Sequence, residues 1–383
     1  MRTSAYRSII LLLGLLLSIT LFILCYRLLN TSGYLTFSDG AKYADVARNL
    51  LQYGEYGSSF KFFSWLDPQT LKRFPFEARG ILPGMPSVIY IFFSLFGIKD
   101  ISVSLASSTL FLISLFILFL LGRRFYGKFA AILTVLLVGL NINLTDYALN
   151  GASETLLIFE IVTSVYLITL KRKFARVVAV LFLIFMYFTR FNSIAYIIPI
   201  ILFWSLWEFG IKKGLAKFCL VFIAGIIFDL IVLKRLEGKL FFYQILSSAN
   251  SGILSIIPEQ STSDYLRTPI HELAPLKVIV SKVIYNLYNF YKFIPQIFSP
   301  YLFVFYLLGI FIPTKTNEEK LLKVFSLVLI AVSVFIYSFT IPFFRYLHPI
   351  IPVIYLVAIG TFLELIRRLS KGIFISIIFV TVL

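Results

Sequence analysis

The side chains best suited to chemistry in this 383-residue sequence are an acid before an amphipathic stretch and two guanidiniums at the ends of apolar runs. Asp39 stands in Ser38-Asp39-Gly40-Ala41-Lys42-Tyr43-Ala44-Asp45-Val46-Ala47-Arg48-Asn49-Leu50-Leu51. A carboxylate there has two uses. As an N-cap it accepts backbone N–H bonds and stabilises the helix by ~1 kcal/mol. As a general base it takes the proton of an attacking hydroxyl. Arg190 follows Thr189 at the end of one apolar run, and Arg345 lies in Phe344-Arg345-Tyr346-Leu347-His348-Pro349 at the end of another. A charge so near lipid is expensive and usually functional. A guanidinium fork suits a phosphate, because it donates bidentate charged hydrogen bonds. The bland reading of Arg345 and Tyr346 is a snorkelling cation beside an interfacial tyrosine. Glu154 opens a further apolar run after Asn150-Gly151, where the helix dipole also favours a carboxylate. Glu77 and Arg79 precede the turn Pro83-Gly84-Met85-Pro86, and their bland reading is a surface ion pair of little worth.

The elements that must position these groups are membrane helices. The chain is 60% hydrophobic and 14% charged, whereas soluble domains carry about 25% charged residues. A soluble globular fold is therefore excluded, and an all-α, polytopic transmembrane bundle is expected. The net charge of +17 does not point to nucleic acid, because the basic residues sit in short clusters between apolar runs, as the positive-inside rule requires. Cys25 and Cys219 lie in apolar runs and read as small hydrophobes, with neither disulfide nor zinc spacing. His271 and His348 are too few for a His-rich metal site.

Runs long enough to cross a bilayer fall at 8–29, 101–121, 129–145, 153–170, 177–190, 192–209, 217–234, 296–312, 321–341, 349–366 and 372–383, about eleven spans with the last cut short. The first reads as an anchor rather than a cleaved leader, since no small-residue cleavage site ends it. With the N-terminus in the cytoplasm, the even connections fall inside. They carry Arg123, Arg124 and Lys128; Lys171, Arg172, Lys173 and Arg176; Lys212, Lys213 and Lys217; Lys315, Lys320 and Lys323; and Arg367, Arg368 and Lys371. This requires the run 84–97 to be an interfacial helix rather than a span, for which it is too short.

The outer face then collects 30–100, 146–152, Arg190–Asn192, and 235–295 with the turn Phe344–Pro349. Residues 1–383 read as a single module, with 30–100 a first outer loop bearing interfacial helices and 235–295 a loop long enough to act as a lid. In the first of these, Tyr43, Val46, Ala47, Leu50 and Leu51 make an apolar stripe, with Lys42, Asp45, Arg48, Asn49 and Gln52 opposite, as in a surface-lying helix. Tyr285, Tyr288, Asn289 and Lys292 read as another interfacial stretch, and Asp229 as a buried acid paired with Lys234 or Arg235.

An acid after the first span, a tyrosine four residues on, an amphipathic helix, a Pro-Gly-x-Pro turn and a short helix ending in Phe-Gly together resemble the GT-C glycosyltransferases. The nearer resemblance is to the branch of protein O-mannosyltransferases and bacterial aminoarabinose transferases. It implies a sugar donor on a polyprenyl- or dolichyl-phosphate, an outward active face on the plasma membrane (or the lumen of the endoplasmic reticulum in a eukaryote), and Asp39 as the catalytic acid of the first outer loop. It implies substrate contacts from Glu77, Glu154, Arg345 and Tyr346; Lys42, Tyr43, Arg79, Arg190 and His348, which lie on the same face, are expected to contribute as well. Many members carry a second acid directly after the first; here that position is Gly40. A divalent metal, used by some branches, would fall to Asp39 and Glu77. The acceptor stays open between protein, lipid and glycan. The rival readings are a flippase or transporter of the lipid-linked sugar, and a polymerase or ligase of surface polysaccharide.

Overall fold

The computed structural model describes residues 38–59, 75–77, 81–228, 276–339 and 343–368, together with 14, 18, 19, 22, 35 and 231. The expected spans 8–29 and 372–383, the loop 235–275, Arg79 and Asp229 lie outside the described residues or nearly so.

The described chain is a helical bundle. Its helices are α1 Ser38–Tyr53, α2 Gly84–Phe96, α3 Asp100–Phe125, α4 Lys128–Gly139, α5 Ile142–Asn150, α6 Ser153–Thr169, α7 Lys173–Thr189, α8 Ile194–Phe228, α9 Leu276–Ile297, α10 Pro300–Phe311, α11 Asn317–Phe339 and α12 Ile351–Arg368. A short antiparallel ribbon pairs Gly57 with Glu77 and Ser58 with Phe76. Among the described residues four helical stretches are long and apolar enough to cross a membrane, and six if each of two bent pairs counts as one. The chain is an integral, multi-pass membrane protein. Large apolar side chains such as Phe174 and Phe311 stay exposed on its flank, as they do where the solvent is lipid.

Several expected spans are reshaped. The run 129–145 is broken, since α4 and α5 meet at 63°. Asn141 caps α5 by accepting from the Leu144 N–H at 3.2 Å, so the break has its own hydrogen bonds. Residues 276–295 are helix rather than loop, and the span expected from 296 is split, with a 113° bend ahead of Pro300. Proline lacks the N–H that would continue α9 and suits the first turn of α10. Helix α8 runs through Gly210, whose φ of 70° is not helical. A straight helix would separate Gly214 from Ser205 by about 13 Å, yet a side chain at Gly214 would meet the Ser205 carbonyl at 2.6 Å. The chain therefore doubles back there, as expected for the basic turn after 209.

Helix α12 is the axis of the core, with Ile351 to Thr361 buried throughout. Helix α3 packs on α6, α6 on α7, and α10 and α4 on α12. Serines stitch α3 to α5: Ser104 donates to the Leu149 carbonyl at 2.5 Å, and Ser107 and Ser108 to that of Ala148 at 2.6 and 2.9 Å. These carbonyls end α5 and have no partner in their own helix, so hydroxyls on the neighbouring helix satisfy them inside lipid. That fixes the α5–α6 corner, on which the site is built.

Candidate functional site

Two glycines let short elements approach the bundle closely. A side chain on Gly40 would run into the Asn150 carbonyl at the end of α5. Gly40 therefore seats the first turn of α1 on the α5–α6 corner, and a second acid directly after Asp39 has no room. Gly84 likewise sets the start of α2 on the end of α7, where an added Cβ would lie 2.7 Å from the Thr189 Cα. Polar residues secure the far side of α1. Asp45 accepts from the Ser59 N–H at 2.6 Å and the Ser58 hydroxyl at 3.0 Å, and pairs with Arg48 at 2.5 Å. Asn49 donates to the Gly57 carbonyl at 3.0 Å. The face of α1 expected to meet water thus buries Asp45 and Asn49 under the ribbon. Its polar groups satisfy loop backbone, which the stripe alone could not distinguish from hydration.

On this seat Asp39 meets both guanidiniums. Asp39 Oδ2 lies 2.7 Å from Arg345 Nη2 and 3.4 Å from Arg190 Nη2, and Oδ1 lies 3.7 Å from Lys42 Nζ. Behind them Glu154, with no exposed surface, has Oε1 3.0 Å from Arg190 Nη1 and 3.8 Å from Arg345 Nε. Neither Glu154 oxygen has a hydrogen-bond partner among the described residues, so it acts on the guanidiniums through charge. Tyr346 lies beside both, its ring 5.1 Å from the Arg190 guanidinium and 5.4 Å from that of Arg345, within cation–π range. The Tyr196 hydroxyl donates to the Tyr346 carbonyl, and Tyr337 donates to the Asn192 carbonyl at 3.4 Å. The first bond ties the 3-10 segment Phe344–Ile350 to the start of α8, and the second ties α11 to the turn before it.

Burial alone would push the Asp39 carboxyl up, but Arg345, Arg190 and Lys42 overcome it and hold the group below the ordinary carboxylate range. Burial pushes the Tyr43 phenol up, and its hydroxyl donates to Ser153 at 3.3 Å. Among the described residues three cations therefore face two carboxylates, an arrangement that suits an incoming anion. No group of three or more His, Cys, Asp or Glu converges among the described residues, and the Glu77 side chain, the expected partner of Asp39 for a metal, lies outside them.

Five of the expected residues thus converge directly: Asp39, Lys42, Glu154, Arg190 and Arg345, with Tyr346 against the guanidiniums and Tyr43 on the adjoining corner. His348 turns away. It is buried, with Nδ1 2.8 Å from the Tyr147 hydroxyl, and contributes to packing behind the cluster. For Glu77 the structure describes the backbone in the ribbon, and Arg79 lies outside the described residues. The sequence reading passed over Glu160. It is fully buried in α6 and accepts from the Thr189 hydroxyl at 2.7 Å, one residue from Arg190. An acid inside an apolar run was the available signal.

The cluster sits at one end of the bundle and the basic connections gather at the other. Arg124 and Lys171 both reach Glu318, at 3.9 and 3.5 Å, Arg176 reaches Glu208 at 2.6 Å, and Lys315 reaches Glu364 at 2.5 Å. From Arg345 to Glu364 the helical path is about 30 Å, one hydrocarbon thickness.

Residues 82–233 match the family model described as dolichyl-phosphate-mannose-protein mannosyltransferase. The matched stretch holds Glu154 and Arg190 and leaves Asp39 and Arg345 outside it. This family is in the branch that the sequence motifs resemble. No curated protein matches the chain. Two solved structures of ArnT from Cupriavidus metallidurans are similar to it. The form bound to undecaprenyl phosphate is 14% identical with a TM-score of 0.47, and the match covers 94% of this chain and 60% of that one. The apo form is 15% identical with a TM-score of 0.49, covering 97% and 62%. The chain spans about three fifths of the length of those proteins.

Proposed function

We propose that this chain is a membrane glycosyltransferase that moves a sugar from a polyprenyl-phosphate carrier to an acceptor hydroxyl at the outer membrane face. The observation that carries the reading is the meeting of Asp39 with Arg345 and Arg190, from opposite ends of the chain, at one end of the bundle. A lipid-phosphate donor keeps its tail in the bilayer and its phosphate at headgroup level. It therefore needs cations at that depth and a base near its anomeric carbon. The family match over 82–233 supports the same donor class.

In the reaction, the acceptor oxygen attacks the anomeric carbon while Asp39 takes its proton. The bond to the phosphate oxygen breaks, and its electron pair leaves with the phosphate. Arg345 and Arg190 neutralise the charge that develops there. Displacement in one step inverts the anomeric centre. Asp39, held low by its guanidinium partners, is a weak base in the ligand-free site. A donor phosphate competes for the same guanidiniums. Once they turn to it, the carboxylate loses what held it low, so base strength rises when the donor is seated.

The test is transfer from a radiolabelled polyprenyl-phosphate sugar in membranes bearing the chain. Asp39→Asn keeps the shape and removes the base, so label should stay on the lipid while the protein remains folded. Undiminished transfer in that variant overturns the assignment. Movement of the lipid across the bilayer without cleavage, in the native protein, supports a flippase instead.

A further inference from the structure

Near the other end of the bundle a cavity of about 210 Å³ is lined by Tyr126, Lys315, Glu319, Lys323, Glu364 and Arg367, among others. Its innermost cation is Lys323, which is 8% exposed. The Lys323 ammonium donates to the carbonyls of Gly309 at 2.8 Å and Ile312 at 3.0 Å. These are neutral groups at the open end of α10. No carboxylate lies within 4.0 Å of it among the described residues, so Glu319 and Glu364 act on it only through space and one of its three protons remains for another partner. A buried charge without a counterion is unfavourable. Of the two carboxylates of the cavity, one is matched by cations and the other by a backbone N–H. Glu364 is held by Lys315 at 2.5 Å, Arg368 at 3.0 Å and Arg367 at 3.8 Å. Glu319 accepts from the Lys315 backbone N–H at 3.0 Å. Three lining cations thus face two carboxylates, and Arg368 on Glu364 adds a fourth.

Tyr126 supplies a second, independent observation. Its ring lies against Gly360, where any side chain would strike it. Its buried hydroxyl has no hydrogen-bond partner among the described residues, a state that buried polar groups rarely keep.

From these groups we infer a binding site for a phosphate-bearing anion, distinct from the Asp39 cluster and about 30 Å from it along α12. The volume equals that of roughly seven waters. That is room for a phosphoryl group with its hydration, and it is below the range of about 300–1,000 Å³ typical of drug-sized ligands. The rim lies among the basic connections, at the headgroup level of the membrane face opposite the Asp39 cluster. The phosphate is supplied either by a phospholipid of that leaflet or by a soluble phosphate compound. Bound there, it joins the end of α10, the start of α11 and α12 through one shared counterion.

The test is thermal unfolding of the purified full chain in neutral detergent. Phosphatidylglycerol, phosphatidylcholine or inorganic phosphate is added, with chloride matching the ionic strength. A rise of several degrees with phosphatidylglycerol but not phosphatidylcholine or inorganic phosphate assigns a lipid headgroup. A rise with inorganic phosphate as well assigns a soluble phosphate. Tyr126→Phe should leave the untreated chain at least as stable, because it removes an unpartnered hydroxyl, and should shrink the rise. Lys323→Gln should abolish the rise, and Lys315→Ala at the rim gives a milder variant if Lys323→Gln fails to fold. Equal responses to all additives, or a full rise retained in both Tyr126→Phe and Lys315→Ala, overturn the site. Sugar transfer is not read in this assay, so its outcome is independent of the proposed reaction.

Discussion

Replacing Glu154 with glutamine would leave two guanidiniums side by side with their rear carboxylate gone. Removing one partner of a buried ion pair destabilises by about 3–5 kcal/mol, and Glu154 has no exposed surface to soften the loss. Glu154→Gln should therefore lower the unfolding temperature of the detergent-solubilised protein as well as transfer. Arg345→Lys keeps the charge but loses the fork that reaches both Asp39 and an incoming phosphate. Transfer should fall about 10²- to 10³-fold in kcat, the usual effect of losing one donor to a developing oxyanion. The acidity of Asp39 fixes its pH dependence. Its folded value lies below the unfolded one of about 3.9. The contribution of its ion pairs is complete above about pH 4 and is lost as pH falls through the lower folded value. In the free enzyme Asp39 should add no acid limb to kcat/KM between about pH 5 and 8. A limb centred near 6 in the native protein, shifted when Arg345 is replaced, would contradict this. Asp39, Glu154, Arg190 and Arg345 could be singled out beforehand, because each is a charge beside an apolar run. His348 could not be sorted from them, since the choice between cluster and core depends on side-chain direction within a 3-10 turn.

Among the elements, α1 shows where the sequence is mute. Its apolar stripe gave the helix correctly. Its polar stripe suggested hydration, because the partners of Asp45 and Asn49 include backbone and hydroxyl groups of Gly57 to Ser59, which leave no mark in periodicity. The break between α4 and α5 had a signal in Asn141, Asn143 and Thr145 inside the run, which the overall hydropathy of 129–145 outweighed. The seat of α1 depends on Gly40. Gly40→Ala would push the first turn off the Asn150 carbonyl and carry Asp39 away from Arg345. A displacement of about 1 Å in a reacting group can slow a reaction 10²-fold. Transfer by Gly40→Ala should fall by about that factor.

For the whole molecule, the separation of the Asp39 cluster from the basic connections is the feature composition foretold best. Five basic loops implied one face, and Arg124, Lys171, Arg176, Lys315 and Arg368 do gather at one end. Sidedness in the cell follows as a labelling prediction. In a background with Cys25 and Cys219 replaced by serine, Tyr53→Cys on α1 should react with an impermeant maleimide in intact cells. Lys173→Cys at the start of α7 should react only after the membrane is opened. The reverse pattern would invert the orientation.

The contact between Asp39 and Arg345 spans 306 positions of the chain. During synthesis the acid leaves the translocation machinery long before its partner is made. Until then Asp39 has Lys42 and, later, Arg190 to hold its charge, and α1 waits on a half-finished bundle. A nascent chain arrested at residue 339 should therefore expose α1 to added protease, and one extended through residue 368 should protect it. The order in which helices enter the bilayer thus makes the first polar element of the chain among the last to settle.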